Sequence, residues 1–116
     1  MTDPKCLFCR IISKQIPANI VYEDDQVVAF KDITPQAPLH LLLVPRVHIP
    51  SLNELTPAQS AVLGHIALVA KDLTKTAGID ASGWRLVTNC GAHAGQTVFH
   101  LHVHLLGGAP MAGQLV

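Results

Sequence analysis

The run Gln96-Thr97-Val98-Phe99-His100-Leu101-His102-Val103-His104-Leu105-Leu106-Gly107-Gly108 constrains this chain more than any other stretch. Histidine alternates with Leu and Val, and strict alternation over this length predicts a half-buried β-strand. Successive side chains of a strand turn to opposite faces. His100, His102 and His104 therefore share one face, while Phe99, Leu101, Val103 and Leu105 share the other and point into a core. Same-face neighbours lie roughly 6.5–7 Å apart, which puts the outer two imidazoles about 13 Å from each other. A small ligand can touch two of the rings while the third supports from the side. A single histidine is ordinarily a satisfied surface or core residue, but three in register are not accounted for that way. With an unperturbed pKa of about 6.5, histidine works near neutrality as base, acid, nucleophile or metal ligand. Two chemistries fit: a nucleophilic histidine with two helpers, or a His-x-His metal chelate.

A length of 116 residues supports one domain, 1–116, with a modest core. Eight Lys and Arg balance eight Asp and Glu, and apolar residues make up 49% of the chain, which excludes a disordered chain and gives no basic surplus for nucleic acid. So little net charge leaves self-association unopposed. No apolar run approaches the ~20 residues that span a bilayer, and Met1-Thr2-Asp3-Pro4-Lys5 lacks the apolar centre of a signal peptide. Three cysteines are an odd number, so the expected setting is a reducing cytoplasm with no disulfide framework.

Two of those cysteines form Cys6-x-x-Cys9 in a short apolar segment expected to make a helical turn closed by Pro17. The pair can hold zinc, pack as two small apolar groups, or act as a redox couple. A redox pair normally follows a strand, and nothing upstream supplies one. Zinc needs two more ligands, and His40, His48 and His93 are spare besides the triplet.

Ile20–Glu23 and Gln26–Phe30 are β-favouring runs around Asp24-Asp25 and predict a hairpin. Lys31–Pro38 is a polar, proline-punctuated loop, and Leu39–Val44 then reads as a strand buried on both faces, ending at Pro45. His40 inside it must find a partner, either within the core or as the wall of a site. Thr56-Pro57-Ala58-Gln59 combines a cap, a first-turn proline and a capping-box glutamine. Val62, Ile66, Val69 and Leu73 make one apolar stripe and Gly78 supplies the stop, predicting a helix of about five turns packed on the core. His65 lies within that helix without a functional role. Trp84–Thr88 is a further strand, and Asn89–Gln96 is a glycine-bearing loop whose free amides, set before three imidazoles, suit a phosphate.

These residues resemble one family closely. His100-Leu-His102-Val-His104-Leu-Leu matches the pattern that names the histidine-triad (HIT) superfamily. The likeness extends over Cys6-Leu-Phe-Cys9, Ile16-Pro17-Ala18, Tyr22–Asp25, Phe30–Pro38, Val44–Ile49, Asn89 and Gly95-Gln96-Thr97, and is similar to the Hint branch of nucleotide-binding members. The resemblance implies an α+β fold: a five-stranded antiparallel sheet with one long and one short helix, two copies joining into a ten-stranded sheet. It implies hydrolysis or transfer on purine nucleoside phosphoramidates of the AMP type, through a covalent nucleotidyl-histidine and without a catalytic metal. In that reading His102 is the nucleophile, and His104 and Asn89 contact the phosphate or ribose. Gly95, Gln96 and Thr97 face the phosphate and leaving group. Asp32 takes the ribose hydroxyls, Phe8, Phe30 and Ile33 wall the base, and His40 and His100 support from behind. Cys6, Cys9 and His48 fit the zinc-binding pattern of many bacterial relatives, with His100 as the fourth ligand. Thr97 stands where animal members carry serine and keeps the hydroxyl. The end of the chain, Gly113–Val116, lacks the tryptophan-containing tail of animal members, so their leaving-group preference does not carry over.

The chemistry agrees with the likeness. Attack at phosphorus wants a neutral imidazole oriented through its other ring nitrogen, a service that a nearby backbone carbonyl can supply. Growing charge on phosphate wants fixed donors, expected from loop amides and a protonated neighbour. Three other readings compete: a dinucleoside polyphosphate hydrolase of the Fhit type, a nucleotide-binding scaffold with incidental hydrolysis, and a His-x-His metalloenzyme. The last is disfavoured because no carboxylate clusters with the triad in the sequence.

Overall fold

The computed structural model describes residues 3–111. The elements run α1 (Leu7–Ile12), β1 (Ile20–Glu23), β2 (Val27–Lys31), β3 (Leu39–Pro45), α2 (Ala61–Thr76), β4 (Trp84–Val87) and β5 (Val103–Gly107), with single 3-10 turns at Leu52–Glu54, Pro57–Gln59 and Ala92–Ala94. The five strands form one antiparallel sheet in the order β1-β2-β3-β5-β4. This is the expected α+β arrangement of one long and one short helix on a five-stranded sheet. None of the described helices is long and apolar enough to cross a membrane. The expected tail, Gly113–Val116, lies outside the described residues.

Local chemistry fixes the element ends. The β1–β2 turn closes on Asp24, whose Oδ1 accepts the amides of Gln26 and Val27, both at 2.8 Å. Its Oδ2 accepts the Tyr22 hydroxyl at 2.7 Å and faces His65 Nε2 at 2.6 Å, tying the hairpin to α2. His65 therefore has a structural partner that sequence reading did not assign. Gln59 Oε1 accepts from the Thr56 amide at 3.3 Å and hydroxyl at 3.1 Å, as the capping box predicts, although a 3-10 turn precedes the α-helix proper. Gly78, at φ 76°, ends α2 in the left-handed conformation. Its N–H bonds Lys75 O at 3.1 Å and the Ile79 N–H bonds Thr74 O at 3.0 Å, the Schellman pattern. The first helix stops at Ile12, five residues short of Pro17.

Both faces of the sheet are covered. Val27, Ala29, Leu41, Leu43, Val103 and Leu105 pack under Ile66, Val69 and Ala70 of α2. On the opposite face Val28, Phe30, Leu42 and Val44 pack under Phe8, Cys9, Ile11 and Ile12 of the first helix. The central strands β2 and β3 are accordingly buried almost throughout.

This double cover corrects the expectation for the histidine run. Regular pairing begins only at Val103, and residues 98–102 are irregular. Leu101, Val103 and Leu105 do point into the core, but Phe99 is half exposed, at 51%. The histidine face is not a solvent face at its start, because α1 lies over it and buries His100 completely and His102 nearly so. The Leu101 amide leaves the ladder to bond Ile49 O at 2.6 Å, which is why alternation in sequence does not become a strand there.

Candidate active site

A cleft of ≈ 660 Å³ opens between the first helix, the β2–β3 loop and the segment before β5. Phe8 and Phe30 meet edge to face, with centroids 5.4 Å apart, and form its apolar floor. Ile33 stands at its mouth, 95% exposed, an apolar side chain with no packing role in the fold. Asp32, Thr97, His102 and His104 line the same cleft. Asn89 does not. It lines an adjoining hollow of ≈ 530 Å³ that the cleft shares only through His104.

Two rings carry the polar chemistry. His102 Nδ1 donates to the backbone carbonyl of His100 at 2.7 Å, which in the neutral ring places the lone pair on Nε2. The edge of Phe8, 5.1 Å away between centroids, holds the ring in that attitude. His104 sits at the end of a relay. The Gln36 amide donates to His40 Nδ1 at 3.0 Å, so His40 Nε2 carries the proton and donates to His104 Nδ1 at 2.9 Å. The proton of neutral His104 is thereby placed on Nε2. Burial first, then the neighbouring His102 and His40, holds the His104 pKa below its usual range. A neutral N–H donor therefore replaces the protonated neighbour expected from sequence.

Asp32 Oδ1 accepts from the Thr34 amide at 2.8 Å and hydroxyl at 3.2 Å, the turn role that its position suggested. Its Oδ2 lies 3.4 Å from His40 Nε2. A carboxylate thus does cluster with the triad, contrary to the expectation drawn from the sequence, and Asp32, His40 and His104 could in principle share a cation. The proton that the Gln36 amide places on His40 Nε2 opposes such a use.

The loop before the histidine run bends at Gly91 (φ 88°) and Gly95 (φ 93°). Gln96 is buried and its side chain is fully engaged: Oε1 accepts the Gly91 amide at 2.8 Å, and Nε2 donates to Pro50 O at 2.8 Å and Val98 O at 3.1 Å. That engagement turns the side chain away from its expected place facing the phosphate, because both Nε2 protons are committed and a phosphate needs donors. Gln96 instead clamps the loop that presents Gly95 and Thr97, both exposed.

Beneath the cleft, Cys6, Cys9, His48 and His100 bring four donor atoms within 4.8 Å of one another. His100 Nδ1 lies 3.4 Å from Cys6 Sγ, 3.5 Å from Cys9 Sγ and 3.2 Å from His48 Nδ1, and His48 Nδ1 lies 3.4 Å from Cys9 Sγ. A tetrahedral ion with bonds of about 2.3 Å to sulfur and 2.0–2.1 Å to nitrogen has edges of about 3.3–3.6 Å for these pairs. The donor set therefore fits zinc. His100 Nε2 donates to Pro45 O at 2.8 Å, which frees Nδ1 for the cluster and supplies the outer contact that orients a metal-binding imidazole. Burial first holds the His100 pKa down at about 4. Among the other spare histidines, His40 serves the relay and His93 lies exposed in the loop. The relay through Gln36, and the carbonyls of Pro45, Ile49 and Pro50 that hold the site, carry no sequence signal, because backbone groups are the same in every residue.

Comparison with known proteins identifies the family. Residues 5–114 match the family described as scavenger mRNA decapping enzyme C-term binding. A HIT-like protein of Synechocystis is 53% identical over 106 residues, covering 91% of this chain and 92% of that protein. The purine nucleoside phosphoramidase of Escherichia coli K12 is 44% identical over 109 residues, covering 94% of this chain and 92% of that enzyme. A HIT family hydrolase from Clostridium thermocellum superposes with a TM-score of 0.95 at 45% identity, covering 99% of this chain and 100% of that one. The chain belongs to the histidine-triad family of hydrolases, among its bacterial Hint-like members.

Proposed function

We propose that this protein hydrolyses purine nucleoside phosphoramidates of the AMP type through a nucleotide held covalently on His102. One observation carries the reading: His102 donates Nδ1–H to a backbone carbonyl and keeps Nε2 as a free lone pair in an apolar-floored cleft. Nε2 attacks phosphorus and the P–N bond breaks. The departing amine takes a proton from solvent, and the Thr97 hydroxyl, which lines the cleft, hydrogen-bonds the leaving nitrogen. Water then displaces His102 from phosphorus and releases the nucleoside monophosphate. His104 Nε2–H stabilises the charge on the phosphate oxygens, Gly95 and Thr97 border the phosphate from the loop, the Gly95 amide being bonded to Ala92 O at 3.0 Å, and Asn89 contacts the phosphate from its adjoining hollow. Asp32 Oδ2 receives a ribose hydroxyl, and the base lies between Ile33 and the Phe8–Phe30 floor. The similarity to the Escherichia coli phosphoramidase supports this substrate class over a dinucleoside polyphosphate.

Cys6, Cys9, His48 and His100 would hold a structural zinc ion, which cross-links the first helix to the segments on either side of the site and takes no part in the reaction. We further propose a cytoplasmic homodimer, whose subunits join their sheets across the exposed edge of β4, where Leu86 is 36% exposed. The test is His102→Ala: nucleoside monophosphate binding persists and turnover is lost, while the unsubstituted protein yields a phosphorus-bound adduct on His102 when quenched during turnover. Full turnover by the variant overturns the assignment. A protein that binds the nucleotide yet turns over neither an adenosine phosphoramidate nor a dinucleoside tetraphosphate would be a binding scaffold instead.

A further inference from the structure

Residue 100 serves two sites at once. Its imidazole Nδ1 belongs to the Cys6–Cys9–His48 cluster, and its carbonyl oxygen sets the tautomer and direction of His102. The same cluster reaches the active site by a second route. His48 is followed by Ile49 and Pro50, whose carbonyls hold the Leu101 amide at 2.6 Å and Gln96 Nε2 at 2.8 Å. Those two bonds anchor the histidine segment and the phosphate-facing loop, so the residues that gather Cys6 and Cys9 also position His102 and Gly95.

The cluster is reachable from outside. Cys6, 9% exposed, lines an open hollow of ≈ 440 Å³ together with Lys5, His48, Thr97 and Phe99, while Cys9 lies behind it at 3% exposure. The two sulfurs belong to one group of donor atoms that all lie within 4.8 Å of one another, and side-chain rotation has to bring them to about 2.05 Å to join them. Closing that bond draws both sulfurs off His100 Nδ1 and leaves it His48 Nδ1 at 3.2 Å as its neighbour in the cluster, so the two imidazoles and the backbone that carries them repack around the joined sulfurs.

We propose that Cys6 and Cys9 form an oxidative modification site through which a low-molecular-weight disulfide switches off the His102 chemistry. The Cys6 sulfur attacks one sulfur of the reagent and expels the first small thiol. The Cys9 sulfur then attacks Cys6 and expels the second. Two protein thiols are oxidised, one reagent disulfide is reduced to two thiols, and the departing thiolates take up the protons. Any ion held by the four donors leaves with them. His102 keeps its place in the chain and loses its orientation, and a displacement of about 1 Å in a reacting group costs on the order of 100-fold in rate.

The experiment uses the full chain carrying Cys90→Ser, so that the pair supplies the remaining thiols, in its metal content as purified. It is incubated with oxidised glutathione and then with dithiothreitol plus zinc. The expected result is a mapped Cys6–Cys9 disulfide, a turnover number lower by on the order of 100-fold, AMP affinity held within about threefold, and a shifted His102 imidazole signal in a nitrogen-correlated spectrum, all reversed by the reductant. A Cys6→Ser version, lacking the thiol that borders the hollow, should not form the disulfide. The proposal is overturned if no disulfide forms, if it forms while the His102 signal and turnover stay put, or if AMP binding and secondary structure are lost together, since that is unfolding. The turnover arm rests on the phosphoramidate reading. If the reduced protein cleaves no phosphoramidate, that reading fails, and the His102 signal still decides the coupling.

Discussion

His40 Nε2 lies 2.9 Å from His104 Nδ1, and the direction of that bond is set from outside the pair, by the Gln36 amide on His40 Nδ1. A backbone N–H in a proline-flanked loop thus determines which nitrogen of His104 presents a proton to the cleft. A donor fixed in advance, and not reorganised during reaction, is the kind that stabilises a developing phosphate charge.

His40→Leu tests that relay. The substitution keeps bulk at a buried position but removes the proton on which His104 depends and strands the Gln36 amide. Turnover of an adenosine phosphoramidate should fall by about 10- to 100-fold with nucleoside monophosphate binding less affected. Steady-state kinetics beside calorimetric binding separates the two quantities.

Phe8 joins the floor of the cleft to the core under the first helix, touching Phe30 and His102 edge to face. Phe8→Ala should therefore destabilise the fold by about 3–5 kcal/mol, the range for removing a buried aromatic side chain. It should also weaken nucleotide binding, so urea unfolding and ligand titration move together. Ile33→Ala, at a fully exposed position, should weaken binding and leave the unfolding midpoint unchanged.

Acid should destabilise the metal-free protein in a defined window. Burial lowers the His100 pKa to about 4, against about 6.5 for a free histidine, so the unfolded chain binds the extra proton first. The stabilising contribution of the neutral buried ring is complete above about pH 6.5 and is lost as pH falls towards 4, amounting to about 3 kcal/mol. Chelator-treated protein unfolded in urea between pH 7 and 4 should show this decline, and loaded protein a steeper one, because protons also displace the metal.

Asp24 gives a second acid-sensitive contribution at lower pH. Burial alone would raise its pKa, but the Gln26 amide, His65, Tyr22 and the Val27 amide together hold it well below the usual carboxylate range. Its contribution is present above about pH 4 and is lost as pH falls below that. Asp24→Asn should cost about 1–3 kcal/mol at pH 7 and flatten the stability profile below pH 4. Urea midpoints across that range check it.

Zinc content gives a direct reading of the four-donor cluster. The purified protein should carry one zinc ion per chain by elemental analysis, and His48→Ala should lower that content and the thermal midpoint together. His93→Ala, an exposed loop histidine, should change neither.

The sequence by itself determined the elements and marked the residues that the fold gathers at the cleft and the four-donor cluster, because their signals are local. Alternation marked β5 from Val103 onward, the stripe from Val62 to Leu73 and the glycine stop at Gly78 marked α2, and His-φ-His-φ-His singled out the rings at the cleft. It misread Phe99 and the side chain of Gln96, and it did not show how deeply His100 is buried, because those surroundings are set by partners nearly fifty residues away or more: Ile49, Pro50, Cys6 and Cys9. Only the tertiary structure decided that α1 would bury the start of the histidine run. It alone showed that Asp32 joins His40 and His104, and that one carbonyl and one amide, on His100 and Gln36, fix the tautomers of His102 and His104. The physical reason is that side-chain pattern encodes which face a residue takes. Tautomer and orientation depend on backbone groups brought near by folding, and those groups are chemically identical at every position.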